Sequence, residues 1–171
     1  MTSELEQAVA HQKAGRLTEA EEIYRRFLAA EPDHPEALHW LGVLRLQQDD
    51  PATAIDLIGR ALKAKPDYLQ GQCNLALALQ AQGRLQEAVA AYERALALSP
   101  DDVEVQIDLG LALQAQGRLT EAVETLRRVL ARAPHFEAHK VLADLLLQQG
   151  SLPAAANEYR RALALQPDSA A

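Results

Sequence analysis

Hydrophobic and polar positions along this 171-residue chain follow one pattern that recurs every 34 residues. Residues 77–85 and 111–119 both read LALQAQGRL, and they lie 34 residues apart. The prolines fall into the same register, at Pro32, Pro66, Pro100 and Pro134, with Pro167 following 33 residues later. A fixed period of this length is the signature of a repeat protein. The pattern therefore predicts five repeats, at residues 1–34, 35–68, 69–102, 103–135 and 136–169.

Each repeat contains the signals of two helices. A repeat position is counted from the first residue of each repeat. Glycine at position 15, replaced by Asp49 in the second repeat, favours the left-handed backbone that ends a helix. Proline at position 32 stops the second helix. We expect first helices near 3–14, 36–48, 69–82, 103–116 and 136–149, and second helices near 18–30, 52–64, 86–98, 120–132 and 154–166. Thr18 and Glu21 have the spacing of a capping box at the start of a second helix.

Small residues recur where two helices of a repeat should cross. Position 8 holds Ala8, Gly42, Ala76, Gly110 and Ala143. Position 20 holds Ala20, Ala54, Ala88, Ala122 and Ala155. Position 24 holds the larger side chains of Tyr24, Ile58, Tyr92, Leu126 and Tyr159. This arrangement predicts closely packed helix pairs with the larger side chains on the core side.

The period, the small-residue positions, the glycine turn and the terminal proline together resemble the tetratricopeptide repeat family over residues 1–169. The resemblance implies an all-α fold, a right-handed α-α superhelix or solenoid of five helical hairpins, in a single domain spanning 1–171. In the first repeat, Glu4 and Gln7 stand where the family buries large apolar residues. Such a departure is expected at a chain end, where one helix face meets water.

The resemblance also implies that the first helices line a concave groove, with ligands bound at positions such as 2, 5, 6 and 9. In this sequence the predicted groove residues are Leu5, Val9, Glu36, His39, Trp40, Val43, Gln70, Cys73, Asn74, Leu77, Glu104, Ile107, Asp108, Leu111, Lys140 and Asp144. They form an apolar floor with acidic and amide edges. We expect a peptide or protein ligand with apolar anchors and some basic character.

Two interpretations of Trp40 stay open at this stage. An exposed tryptophan in the groove would be a binding hot spot, whereas a packed one would fill the contact with a neighbouring repeat. The lysine and asparagine clamp that chaperone co-factors of this family use looks absent. Only Asn74 matches the asparagine ladder of O-linked N-acetylglucosamine transferases. The segments HQKAGRLTEAEEIYRRFL and ALHWLGVL resemble bacterial arrays that precede glycosyltransferase or methyltransferase domains. An alternative interpretation is therefore that the chain is the repeat arm of a larger enzyme.

The last repeat offers a second surface. The face around Tyr159, Ala162 and Leu163 would receive a following repeat, and leaving it open exposes apolar area. Self-association through this face is therefore an alternative to groove binding, as is truncation from a longer protein.

The charge, the cysteine count and the distribution of apolar residues exclude several classes of protein. The net charge of −7 is unlike the basic face of a nucleic-acid binder. The chain has one cysteine, Cys73, which excludes an internal disulfide. No secretory signal and no stretch long enough to insert into a membrane is visible. These features predict a cytoplasmic protein.

The sequence contains no recognisable catalytic or cofactor-binding motif. His135 and His139 lie four residues apart, but no HExxH pattern or acidic partner frames them. The repeated GRL is turn punctuation and lacks the spacing of a phosphate-binding loop. We therefore expect no metal, no cofactor and no enzymatic activity, and a protein that works as a binding scaffold.

Overall fold

The computed structural model describes residues 3–165, and residues 166–169 of the fifth predicted repeat, Pro167 included, lie outside this range. The described residues form ten α-helices and contain no strand. The helices are α1 (Ser3–Lys13), α2 (Leu17–Ala30), α3 (Pro35–Gln47), α4 (Pro51–Ala64), α5 (Leu69–Ala81), α6 (Leu85–Leu98), α7 (Val103–Ala115), α8 (Leu119–Arg132), α9 (Phe136–Gln148) and α10 (Leu152–Leu165). The all-α repeat fold is therefore confirmed, and the predicted helix bounds are correct to within about two residues.

The helices form two compact units, unit 1 (Met1–Ala91) and unit 2 (Tyr92–Ala171). Unit 1 contains the hairpins α1–α2 and α3–α4 and the first helix of the third repeat. Unit 2 contains the hairpins α7–α8 and α9–α10. Within each unit, the second helix of one repeat packs against the first helix of the next, as in the pairs α2–α3 and α8–α9.

The turn inside each hairpin has the predicted left-handed residue. Gly15, Gly83, Gly117 and Gly150 have φ between 72° and 78°, and Asp49 has φ of 60°. In the first repeat, the backbone N–H of Arg16 donates to the carbonyl of His11 at 3.0 Å and closes the end of α1. Glycine adopts this conformation without steric cost, and a short polar residue such as Asp49 tolerates it.

Close packing inside a repeat explains the small residues at position 8. A Cβ added at Gly42 would lie only 2.6 Å from Cγ1 of Ile58, which is at position 24 of the same repeat. The equivalent Cβ at Gly110 would lie 3.3 Å from Leu126. The alanines at position 20 are buried in all five repeats. The predicted helix crossing is therefore confirmed in the second and fourth repeats.

The predicted capping box at Thr18 is wrong. Helix α2 begins at Leu17, its N-cap is Arg16, and no side chain caps it. Thr18 therefore lies inside the first turn of the helix. The short turn after the left-handed Gly15 starts the helix one residue earlier than the capping pattern suggested.

Candidate functional site

Many of the predicted groove residues have accessible side chains on the first helices. In unit 1, Gln70 and Leu77 are exposed, while Glu36, Trp40, Val43, Cys73 and Asn74 are half-buried. In unit 2, Glu104, Leu111, Lys140 and Asp144 are exposed, and Asp108 is half-buried. Position 2 of the second to fifth repeats, position 6 of the second to fourth repeats and position 9 of the third to fifth repeats therefore form the open part of the first-helix faces.

Four of the predicted groove residues are instead buried: Leu5, Val9, His39 and Ile107. Leu5 and Val9 belong to one hydrophobic cluster with Leu38, Leu41 and Leu44 of α3. Position 5 of the first repeat therefore faces the second repeat. The apolar stripe of one helix indicates that a face is buried, but it does not indicate which neighbour buries it.

His39 is the centre of a polar network in unit 1. Its side chain is only 1% exposed. Asn74 Nδ2 lies 2.7 Å from its Nε2, and the hydroxyl of Tyr68 lies 2.9 Å from its Nδ1. Because an amide nitrogen only donates, Nε2 is the acceptor, and Nδ1 carries the proton that it donates to Tyr68. Burial lowers the pKa of His39 to about 4, so the neutral ring holds Asn74 and Tyr68 in place.

The residues around this network connect it to the edge of the first-helix face. Burial and the nearby Glu36 carboxylate raise the pKa of Tyr68 to about 12. Lys65 Nζ lies 4.9 Å from the centre of the Tyr68 ring and 3.1 Å from Glu36 Oε1. Glu36 and Asn74, both predicted from the sequence, are therefore held by Lys65 and His39 through contacts that sequence reasoning missed. These partners lie about one repeat away in the chain, which no local pattern reveals.

Trp40 combines the two interpretations that the sequence left open. Its ring packs against the hydrophobic cluster of the first two repeats and lies 5.2 Å from the His39 ring, edge to face. It is nevertheless only half-buried, so part of the indole faces outwards. Trp40 thus contributes to the packing of unit 1 and leaves accessible aromatic surface.

The first-helix face of unit 2 carries a partly buried carboxylate. Asp108 is half-buried on α7. Burial and the charges of Glu104 and Asp102 raise the pKa of Asp108. The exposed Leu111 lies on the same helix, α7. This face therefore offers an exposed apolar side chain and a half-buried carboxylate whose pKa is raised.

A cleft of about 310 Å³ lies on the last repeat, in unit 2. Its lining residues are Phe136, Lys140, Asp144, Tyr159, Ala162 and Leu163. The hydroxyl of Tyr159 donates a hydrogen bond to Asp144. Two predicted groove residues and all three residues of the predicted assembly face therefore line one cleft, which we call the terminal cleft.

Unit 2 also contains a buried contact between a histidine and a carboxyl group that sequence reasoning missed. His139 Nδ1 lies 2.7 Å from Glu158 Oε2, and Arg161 Nη1 donates to Glu158 Oε1 at 3.0 Å. His135 is separate from this pair, because it accepts the Ala138 backbone N–H at the start of α9. Among residues 3–165, no three or more His, Cys, Asp or Glu side chains are grouped so that they could hold a metal ion. None of the described helices has the length and apolar character that crossing a membrane requires.

Family models for the tetratricopeptide repeat match most of the chain. One such model matches residues 5–69 and 41–103, and a second matches residues 79–145. An association with glycosyltransferase or methyltransferase domains is not shown by these matches. No curated protein has a sequence that matches the chain.

Solved structures have the same fold. MamA 41-end from Desulfovibrio magneticus RS-1 is 18% identical, with a TM-score of 0.87 over 100% of this chain and 99% of that one. TTC0263, a thermophilic TPR protein of Thermus thermophilus, is 27% identical, with a TM-score of 0.74 over 96% and 91%. YrrB, described as a TPR protein with an unusual peptide-binding site, is 21% identical, with a TM-score of 0.80 over 96% and 86%.

Proposed function

Because the chain belongs to the tetratricopeptide repeat family, we propose that it is a non-catalytic scaffold that binds a peptide or protein segment on its first-helix faces. The observation that carries this proposal is the pair of exposed leucines at position 9, Leu77 and Leu111, each beside a half-buried polar side chain at position 6. Leu77 is 45% exposed and Leu111 is 38% exposed. The peptide-binding site that is described for YrrB supports the same function for this fold.

In unit 1 the ligand would meet apolar and amide groups. Leu77 and the accessible part of Trp40 supply apolar contact area, and large aromatic side chains dominate the energy of many interfaces. Asn74 is held by His39 through its Nδ2, which leaves its Oδ1 as an acceptor for a donor on the ligand. Preorganised groups of this kind bind with a smaller entropic cost.

In unit 2 the ligand would meet Leu111 and the half-buried carboxylate of Asp108. A lysine or arginine of the ligand would pair with Asp108 and would offset the desolvation that raises its pKa. Glu104 adds a second negative charge on the exposed part of the same helix. We therefore propose a ligand that carries both aliphatic and basic side chains.

The test uses two synthetic peptides of equal length, one in which leucine alternates with lysine and one in which leucine alternates with glutamate. Trp40 is the only tryptophan of the chain, so its fluorescence reports binding in unit 1 without a label. We expect the leucine–lysine peptide to bind and the leucine–glutamate peptide to bind at least tenfold more weakly. Asp108→Asn should reduce this preference.

Matched variants separate binding on the first helices from nonspecific apolar contact. Leu77→Ser should weaken binding of the leucine–lysine peptide, whereas Leu98→Ser, at a similarly exposed leucine of the second helix α6, should leave it unchanged. Equal losses in both variants, or equal binding of the two peptides, would contradict the proposal.

Self-association through the last repeat is a second candidate function. The observation that favours it is the terminal cleft, where Leu163 is 48% exposed. Light scattering after gel filtration over a concentration series tests it. Growth into larger species that Leu163→Glu abolishes would support assembly, and a monomer at every concentration would exclude it.

A further inference from the structure

Four of the eight glycines of the chain lie inside helices, where glycine weakens the helix relative to alanine. Three of them have a packing reason. Gly42, Gly71 and Gly110 each face a large side chain of a neighbouring helix, and an added Cβ would lie between 2.6 and 3.3 Å from it. In this fold a helical glycine therefore marks a place where a large side chain crosses the helix.

Gly59 is the fourth helical glycine, and its surroundings differ. It lies in α4, at position 25 of the second repeat, and is half-buried. Within the part of the chain that the structure describes, a Cβ added at Gly59 would have no neighbouring side chain and no other element within 4 Å. Alanine would fit here and would favour the helix. The internal packing thus gives no reason for glycine at this position, whereas a ligand that crosses α4 would give one.

A cleft of about 390 Å³ lies beside Gly59 on the same helix. Lys63, which lines the cleft, is four residues after Gly59 and therefore on the same face of α4. Gly59 and the cleft form one continuous surface, which we call the α4 surface. Its residues are Asp33, Gly59, Arg60, Lys63 and Ala64.

Arg60 is held in the cleft by the turn that precedes its repeat. Its Nη2 donates to the backbone carbonyl of Pro32 at 2.8 Å. The same atom lies 3.3 Å from Oδ1 of Asp33. A guanidinium has five N–H donors, so one that is held through Nη2 can pair with a carboxylate through its other edge. Because the Pro32 carbonyl already orients the side chain, a ligand pairs with it at a smaller entropic cost.

The cleft has the opposite charge to the chain as a whole. Arg60 and Lys63 are two cations and Asp33 is one carboxylate, which gives a net charge of +1, whereas the chain carries −7. The side chain of Asp33 is 82% exposed, so its ion pair with Arg60 contributes little and can be replaced by a carboxylate of a ligand. Asp56 is exposed three residues before Gly59, which limits the positive charge to the last part of α4. The cleft therefore favours an acidic group at this end of the helix.

We propose that the α4 surface binds an acidic segment of a partner protein, in which a large aliphatic side chain packs over Gly59 and a neighbouring carboxylate pairs with Arg60 and Lys63. A polypeptide carries both kinds of side chain. A membrane or a nucleic acid is anionic throughout and would be repelled by the net charge of −7. The α4 surface is on a second helix and does not include Leu77 or Leu111, so this proposal and the function proposed above can fail independently.

The leucine–glutamate peptide, labelled with a fluorophore, is the probe. Because Trp40 lies on a first helix, its fluorescence follows binding there, whereas the anisotropy of the labelled peptide follows binding anywhere on the chain. We expect saturable binding by anisotropy. The same peptide with glutamine in place of glutamate should bind at least tenfold more weakly, and equal binding of the two would overturn the proposal.

The first variant tests the role of the glycine. Gly59→Leu should weaken binding of the labelled peptide at least tenfold, because its side chain occupies the place of the aliphatic group of the ligand. It should also raise the melting temperature by about 2–4 °C, since leucine favours the helix, so the loss of binding would not come from unfolding. Arg127→Leu, which places the same side chain at position 25 of the fourth repeat, is the matched control and should leave binding unchanged.

The second variant tests the charge of the cleft. Lys63→Glu should weaken binding of the labelled peptide at least tenfold, whereas Lys13→Glu, at an exposed lysine of α1, should leave it unchanged. Equal losses in the two variants would mean that the peptide responds only to the net charge of the chain, and this result would overturn the proposal.

Further outcomes separate the α4 surface from other occupants and from the first-helix faces. Oligomers of the chain alone that Gly59→Leu dissociates would make a second copy the occupant. Binding to vesicles of phosphatidylcholine and phosphatidylserine that Lys63→Glu abolishes would make it a membrane, and either result would overturn the proposal. Leu77→Ser should leave binding of the labelled peptide unchanged. If Gly59→Leu has no effect while the leucine–lysine peptide still binds, the α4 proposal is wrong and the function proposed above stands.

Discussion

The first and the last repeat carry equivalent positions in opposite environments. In the first repeat, Leu5 and Tyr24 are fully buried under α3. In the last repeat, the equivalent Lys140 is exposed and Tyr159 is half-buried at the rim of the terminal cleft. The internal packing of the two hairpins is nevertheless the same, since Ala20 and Ala155 are both buried. The difference shows that the core of a repeat has two parts. One part is packed between its own two helices, and the other is packed against the repeat that follows.

The largest expected difference between the first and the last repeat is at position 5. Leu5→Ala should lower the free energy of unfolding by about 2–5 kcal/mol, because it leaves a cavity in a closed cluster. Lys140→Ala, at the equivalent exposed position, should change it by less than about 0.5 kcal/mol. Urea unfolding followed by circular dichroism measures both values. Similar values for the two variants would contradict the distinction between a covered and an open repeat.

His39, at position 5 of the second repeat, makes the free energy of unfolding depend on pH. His39 has a pKa of about 4 in the folded protein against about 6.5 when unfolded. Between these two pH values the unfolded chain binds more protons, so the free energy of unfolding falls as the pH falls, by up to about 3 kcal/mol. Urea unfolding at a series of pH values, followed by Trp40 fluorescence, measures the slope. In His39→Gln this part of the slope should disappear, and an unchanged slope would exclude His39 as its source.

Substitutions at position 20 should change the free energy of unfolding equally in the first and the last repeat, because the contacts of this position lie inside one repeat. Ala20→Leu and Ala155→Leu should each lower the free energy of unfolding by about 1–3 kcal/mol through overpacking of the helix crossing. Thr18→Leu, on the exposed side of α2, should be close to neutral. Thermal unfolding followed by circular dichroism checks the three variants. A neutral Ala155→Leu would mean that the last hairpin is packed differently from the first.

The smallest expected difference is at the hydroxyl of position 24. Tyr24 donates to Gln12 Oε1 at 2.8 Å in a buried site, and Gln12 in turn donates to Gln47 at 3.0 Å. Tyr24→Phe should therefore cost about 1 kcal/mol. Tyr159→Phe loses only an exposed hydrogen bond and should cost less than about 0.5 kcal/mol. Urea unfolding of the two variants compares the costs, and equal losses would mean that the two hydroxyls are equally protected from water.

The repeat pattern predicted most of the fold because its signals are local. The pairing of Gly42 with Ile58 follows from residues 16 positions apart, and the left-handed turn depends on a single residue, such as Gly15 or Asp49. The start of α2 was predicted one residue late, because Thr18 has the chemistry of a capping residue but not the backbone position. Local chemistry therefore indicates that a helix begins, and the preceding turn decides where.

The candidate site was harder to predict because it depends on contacts between repeats. Leu5 and Leu77 are both apolar residues of a first helix, and the sequence assigns them the same groove role. One is covered and the other is exposed. Buried polar residues show the same limit, since His39 is satisfied by Tyr68 and Asn74, which are 29 and 35 residues away. Glu158 is also a buried polar residue, and its carboxyl group contacts His139, 19 residues away.

The hydrogen bonds between repeats join residues that are close together along the chain, and this favours folding during synthesis. The inter-repeat hydrogen bonds Gln12–Gln47 and Gln114–Gln148 join residues 35 and 34 positions apart. A topology with such near-neighbour contacts closes only small loops and is of the kind that folds fast. Each hairpin can dock on the one before it as soon as its own residues have left the ribosome. The first repeats would then be in place while the last are still being translated.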